Sequence, residues 1–181
     1  MQQYFSERGA LASADLSVLA GALRRDGQPK AIFAAVEQVA RTAIGFRLFT
    51  ITCLDAERME LERLHSNMPD VYPPGSRKAK RGSAWAAHVL HDLKPFRATT
   101  ADGIRAAFDD HAVMTGMGLG SILNIPVAFD GRCVGTMNLT HVEGWYSEAD
   151  EQTGLTLAAF VAAPLALHQA AFAPAVARPA P

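Results

Sequence analysis

The dipeptide Asp130-Gly131 stands between two apolar runs that contain β-branched residues, 121–129 and 132–141, and no other feature constrains the chain as much. Glycine supplies the positive φ of a type I′ turn, so Asp-Gly between such runs is a strong hairpin signal. Side chains alternate across a strand, which divides the hairpin between two faces. Ile122, Asn124 and Pro126 share one face with Thr136, Asn138 and Thr140. Leu123, Ile125, Met137 and Leu139 point the other way, as a purely apolar set suited to packing on helices.

The rest of the chain is placed around that hairpin. Leu16, Leu19, Ala20 and Leu23 have helical spacing, which predicts a short helix over 13–23 with Ser13 as its N-cap and Asp15 in its first turn. Pro29 opens a second helix to about residue 44, with Ile32, Phe33, Val36, Val39, Ala40 and Ala43 as its stripe and Gly45 closing it. Residues 47–55 change to period two and read as a strand, and 59–66 return as a more polar one nearer an edge. Residues 67–82 carry Pro69, Pro73, Pro74, Gly75 and Gly82 and read as irregular. Ser83 caps a helix to about residue 93, 95–98 form a short strand, and Thr100 or Asp102 starts a further helical segment. Ser147, with Asp150 three residues on, opens a last helix from 148 to about 172 that Pro164 is expected to kink or interrupt. The order α-α-β-β-α-β-α-β-β-α argues for an α+β fold rather than a doubly wound parallel sheet.

At 181 residues one domain is expected. Seventeen basic against 18 acidic side chains leave no global field to attract nucleic acid or an anionic membrane, and neither is expected as a partner. The first ten residues lack a signal-peptide pattern, and Pro164, His168 and Gln169 break the longest apolar stretch, so a cytoplasmic location is expected. Cys53 and Cys133 lie in strand-like runs and read as reduced core residues. His88 and His91 are three apart on one helix, but no cysteine or carboxylate completes the spacing of a zinc site, so no metal or cofactor is expected. His65, His141 and His168 show no partner in the sequence. Asp109-Asp110-His111 reads as a solvated helix end, since adjacent residues point apart.

Four segments together resemble the C-terminal half of a GAF domain: the run 118–127 (GLGSILNIPV), Asp130-Gly131, 134–139 (VGTMNL) and 145–150 (WYSEAD). Residues 72–78, Trp85, 88–90 and 94–96 are similar to small, stand-alone bacterial GAF proteins. The resemblance runs from about 29 to 171. It implies an antiparallel sheet backed on one face by the N- and C-terminal helices, with a small-molecule pocket on the other. The expected organisation is a helical extension over 1–28, the GAF-like domain over 29–172 and a disordered Ala/Pro tail over 173–181. The function it implies is a ligand-binding sensory or regulatory module without its own output domain, acting through a protein partner and not as an enzyme. Two alternatives are a structural or dimerisation module with a vestigial pocket, and a free methionine sulfoxide reductase. The second needs reactive cysteines in the pocket loops, and 67–120 contain none. Phytochromes are also similar over 117–121, but the Asp-Ile-Pro of that group and a cysteine placed for a bilin are missing.

Period-two geometry then puts Ile122, Asn124, Asn138 and Thr140 on the pocket side, under a cover of Trp85, Phe108, His111, Val113, Met114 and Met117. The two asparagines need hydrogen-bond partners if buried, from ligand, water or loop backbone, and leucine at either is expected to abolish ligand binding with the fold intact. Arg77, Lys78, Lys80 and Arg81 just before Ser83 form a candidate anion site, a cyclic nucleotide phosphate included, though no purine-specific feature accompanies them. The last helix is apolar on nearly every side, which points to a homodimer through the first and last helices.

Overall fold

The hairpin stands at the centre of the computed structural model, which describes residues 9–109, 111–170 and 172. Strands β5 (Ser121–Phe129) and β6 (Arg132–His141) turn at Asp130 (φ 50°) and Gly131 (φ 70°), as the type I′ geometry requires. Their register places Asn124 opposite Asn138 and Ile122 opposite Thr140 on one face, with Leu123 opposite Leu139 on the other. Four strands complete an antiparallel sheet: β1 (Leu48–Asp55), β2 (Glu60–Ser66), β3 (Arg77–Ala79) and β4 (Phe96–Ala98), in the spatial order β3-β2-β1-β6-β5-β4.

Helices α1 (Ser13–Leu23), α2 (Lys30–Ala43) and α6 (Glu148–Ala170) cover the apolar face. The core there joins Phe33, Val36 and Ala40 of α2 to Phe49 and Ile51 of β1, to Leu123, Ile125, Met137 and Leu139 of the hairpin, and to Leu157, Val161 and Leu165 of α6. Each such large side chain contributes roughly 1.5–3 kcal/mol by leaving water. Close approach needs glycine at two places. A Cβ on Gly154 would lie 2.7 Å from Ile125, so its absence lets α6 settle on β5, while one on Gly135 would lie 2.0 Å from the Thr52 carbonyl oxygen. Leu19 and Ala22 are fully buried, which makes α1 part of this core.

Several elements differ from the expectation. Ala12, not Ser13, is the N-cap of α1, because the Asp15 carboxylate reaches back to accept the Ala12 N–H at 2.9 Å. Residues 67–82 are not wholly irregular: past the prolines, Arg77–Ala79 pairs with β2 as a three-residue edge strand, so β2 is one place in from the edge. The segment after Ser83 is not one α-helix. Ser83 Oγ caps a single turn, α3 (Ala84–Ala86), by accepting the Ala86 N–H at 3.1 Å, and a π-helical turn (Ala87–His91) follows. Two short helices then precede β5, namely α4 (Ala101–Ala107), capped by Thr100, and α5 (His111–Gly116).

Pro164 lies inside α6 without interrupting it, since Val161, Ala162 and Leu165 on either side are held in the core. By length and composition α6 is apolar enough to cross a membrane; here Gly154, Leu157, Ala158, Val161 and Leu165 face the sheet and α2, and Ala159, Ala163 and Leu167 stay exposed. The expected tail over 173–181 lies outside the described residues.

Candidate functional site

On the face opposite the long helices, the sheet and the segments between β2 and β5 enclose a cavity of ≈ 370 Å³. Its floor is polar: Thr50 and Thr52 of β1, Asn124 of β5, and Thr136, Asn138 and Thr140 of β6, all facing it because they occupy alternate positions on neighbouring strands. Its walls are apolar and aromatic, with Trp85 from α3, Phe108 after α4, Met114 of α5, and Leu48, Leu61 and Ile122 from the strands. The rim carries Tyr72 and Pro73 from the loop before β3, and the cations Arg63, Arg77, Lys78 and Lys80.

The floor is wired by one hydrogen-bond chain. The Trp85 indole N–H donates to Asn124 Oδ1 at 2.9 Å, Asn124 Nδ2 donates to Asn138 Oδ1 at 2.9 Å, and Asn138 Nδ2 donates to Thr50 Oγ1 at 3.2 Å. Beside it, Thr52 and Thr136 hydroxyls share a bond of 2.8 Å. Asn124 is 3% exposed, so these bonds answer the need that burial creates. The asparagines are therefore satisfied by each other, by Trp85 and by Thr50. Leucine at Asn124 would take a hydrogen-bond partner from both Trp85 and Asn138, so a loss of stability is expected beside any loss of binding.

The cations are built in differently from a helix-end anion site. Arg77 Nη2 meets Glu62 at 2.5 Å and its Nη1 meets Asp55 at 3.5 Å, while its guanidinium also lies 5.0 Å from the Phe172 ring centroid. Arg58 donates to Asp55 at 3.1 Å from its backbone N–H and 3.0 Å from its side chain, which holds that carboxyl below the usual range. Its stabilising effect is present at neutral pH and is lost as pH falls through that lowered value. Arg63 lies over the Tyr72 ring, 5.1 Å from its centroid, and binds Pro73 O and Ser76 Oγ. The Lys80 ammonium lies 4.6 Å from the Trp85 ring and 5.3 Å from the Phe108 ring.

Of the residues singled out from the sequence, Trp85, Phe108, Met114, Ile122, Asn124, Asn138, Thr140, Arg77, Lys78 and Lys80 come together around this cavity. His111, Met117, Arg81 and Ser83 do not line it. Arg81 is turned to the β1–β2 turn, donating to Glu57 O and Arg58 O, and Ser83 is occupied as a cap on a helix of three residues. Val113 is half exposed, and Asp110 of the acidic triplet lies outside the described residues. Thr136, which the alternation puts on the same face, also lines the cavity, and Thr50 and Thr52 join it from β1, where period two in 47–55 sets both threonines on one face. What the sequence lacked was the pairing that puts Thr50 opposite Asn138 and Thr52 opposite Thr136. Arg63 and Tyr72 had no local signal; the fold of β2 onto β3 delivers them.

Three of the histidines are committed elsewhere. His65 Nε2 meets Glu37 at 2.7 Å, His88 Nε2 meets Pro95 O at 2.9 Å, and His141 stacks on Trp145 with ring centroids 3.6 Å apart. Among the described residues no group of three His, Cys, Asp or Glu is placed to hold a metal. Burial pushes the Cys53 thiol up to about 12, with the Glu62 charge adding to it, and burial pushes Cys133 up to about 11. Both are protonated at neutral pH, and neither lines the cavity. Iodoacetamide at ~pH 8 is expected to leave both unlabelled in the folded protein and to label both in urea. Rapid native labelling, read by intact mass, would contradict this placement.

Residues 28–165 match the family model of the GAF domain. The chain belongs to that family. In structure this GAF domain is similar to the GAF domain of a phosphoenolpyruvate-protein phosphotransferase from Coxiella burnetii (TM-score 0.68, 18% identity, 87% of this chain and 95% of that one). It is as similar to the corresponding domain from Acinetobacter (TM-score 0.68, 16% identity, 91% and 99% covered). It also aligns with the phytochrome photosensory core module of Stigmatella aurantiaca (TM-score 0.61, 20% identity), covering 85% of this chain and 35% of that one. No curated relative matches the sequence. Together these comparisons establish the fold, and GAF domains as a family are sensory and regulatory modules, mostly without enzymatic activity.

Proposed function

We propose that this GAF domain senses a small molecule held in the cavity above the Thr/Asn floor and passes its occupancy to a protein partner that supplies the output. The observation that carries this reading is the cavity's construction, with apolar walls and a few convergent polar groups on rigid strands, in the size range of small-molecule sites. A catalytic role finds no support in the two buried, protonated thiols. The exposed apolar residues of the helix layer, Leu16, Val18 and Leu23 on α1 and Leu167 on α6, support a homodimer through the first and last helices. A cytoplasmic location, a domain boundary near residue 29, and no nucleic acid or membrane partner complete the proposal.

Native mass spectrometry of the purified protein against its denatured mass tests both parts. The expected result is a dimer carrying a reproducible extra mass that disappears on denaturation. A bare monomer at micromolar concentration would overturn the dimer and favour an interaction module with a vestigial cavity.

A further inference from the structure

The polarity of the cavity floor is set by one side chain. An indole N–H only donates, so Trp85 fixes Asn124 with its oxygen toward the indole and its amide nitrogen toward Asn138. Asn138 must then accept with its own oxygen, which leaves its nitrogen to donate to Thr50 Oγ1. Each step follows from the one before, and neither amide is free to flip. The chain ends on Thr50, whose oxygen accepts and whose hydroxyl proton is still to be placed. Thr50 is 6% exposed and lines the cavity, and that proton has no acceptor among the described residues. The neighbouring Thr52 and Thr136 end the same way, because only one of the two hydroxyls donates along their shared 2.8 Å bond. Asn124 and Asn138 have each spent only one of their two amide hydrogens.

Protons and lone pairs are not left over at equal cost. Buried donors without an acceptor are rarer in folded proteins than acceptors with a lone pair to spare. What the floor lacks is therefore an acceptor, and a ligand that expels water from it has to bring one. A ligand group that only donates finds the Thr50 oxygen already engaged by Asn138 and leaves the proton unanswered. Hydroxyls and amides are neutral donors, and an uncharged carbonyl oxygen answers one without the cost of burying a charge. Above the floor, Trp85 and Phe108 meet edge to face with centroids 6.1 Å apart, and Leu48, Leu61, Met114 and Ile122 close the sides. A flat ring packs on such aromatic surface in offset or edge-on geometry.

We propose that the cavity takes a flat, uncharged ring compound, with a carbonyl oxygen seated on the Thr50 hydroxyl and its apolar body against Trp85 and Phe108. This ligand class rests on the reading of the cavity as a ligand site. Three probes of one fused-ring size test it by NMR titration of the full chain: 1-indanone, which carries a carbonyl, indole, which carries an N–H donor, and indane, which carries neither. On the unaltered protein 1-indanone is expected to bind about tenfold tighter than indole. Thr50→Val keeps the shape of the side chain and removes its hydroxyl. It is expected to weaken 1-indanone about tenfold while indole and indane bind at least as well as before, which also shows that the cavity persists in the variant. Thr50→Ser, which keeps the hydroxyl, is expected to retain 1-indanone. Indole bound as tightly as 1-indanone, or 1-indanone undiminished by Thr50→Val, overturns the carbonyl class and leaves the cavity standing as a site. Failure of all three probes to bind the unaltered protein at millimolar concentration overturns the site reading, and the class falls with it.

Discussion

Replacing Gly135 with alanine is expected to destabilise the domain by about 4 kcal/mol, a large fraction of the stability of a domain this size. The added Cβ would lie 2.0 Å from the Thr52 carbonyl oxygen and 2.9 Å from a Leu165 methyl. The nearer atom is backbone in the adjacent strand, where Gly135 pairs with Cys53, so it cannot turn aside as a side chain would. Relief requires β1 to move off β6, with loss of ladder bonds in the middle of the sheet. Gly131→Ala is the control. That residue has φ +70° but open space around it, so alanine there meets only backbone strain, about 1–2 kcal/mol. Urea midpoints for the two variants should be clearly separated, and equal midpoints would show that the β1–β6 spacing is looser than described.

Asn124→Leu is expected to cost about 3 kcal/mol although its bulk is conserved. Two groups lose their partner at once, the buried Trp85 N–H and the half-buried Asn138 Oδ1, and an unpaired buried group costs roughly 1–3 kcal/mol. A double-mutant cycle with Trp85→Phe separates this from simple repacking. Removing the indole N–H removes one of the two orphaned groups, so the double variant should be more stable than the sum of the single losses by about 1 kcal/mol. Strict additivity would mean that Trp85 and Asn124 do not act as a pair. Ligand binding in the Asn124 variant is informative only after this stability loss is known.

How much of this was legible beforehand depends on the range of the contacts involved. Hairpin β5–β6, its turn and the division of its faces are local, since strict alternation around Asp130-Gly131 leaves one register that buries Leu123, Ile125, Met137 and Leu139. The same alternation pointed Asn124, Asn138 and Thr140 into the cavity. It could not show that Asn124 answers to Trp85, which is 39 residues earlier in the chain and arrives on a single capped turn. Arg77 to Arg81 read as one basic cluster because charge counts ignore direction. Once Arg77–Ala79 becomes a strand, neighbouring side chains diverge, and Arg81 ends on the β1–β2 turn while Lys80 stands over the aromatic wall. The π-helical turn left no pattern distinct from an α-helix in the sequence and could not have been anticipated.

The brevity of β3 means that the sheet does not fully partition the molecule. Over most of its width a layer of tightly paired strands insulates the cavity from the long helices. At the β3 margin Arg77 belongs to both compartments, lining the cavity while its guanidinium rests near the ring of Phe172, just past the end of α6. A single arginine therefore joins the cavity rim to the residue just past the last helix, beside the direct contact that Cys53 of β1 makes with Leu165 of α6 through the sheet.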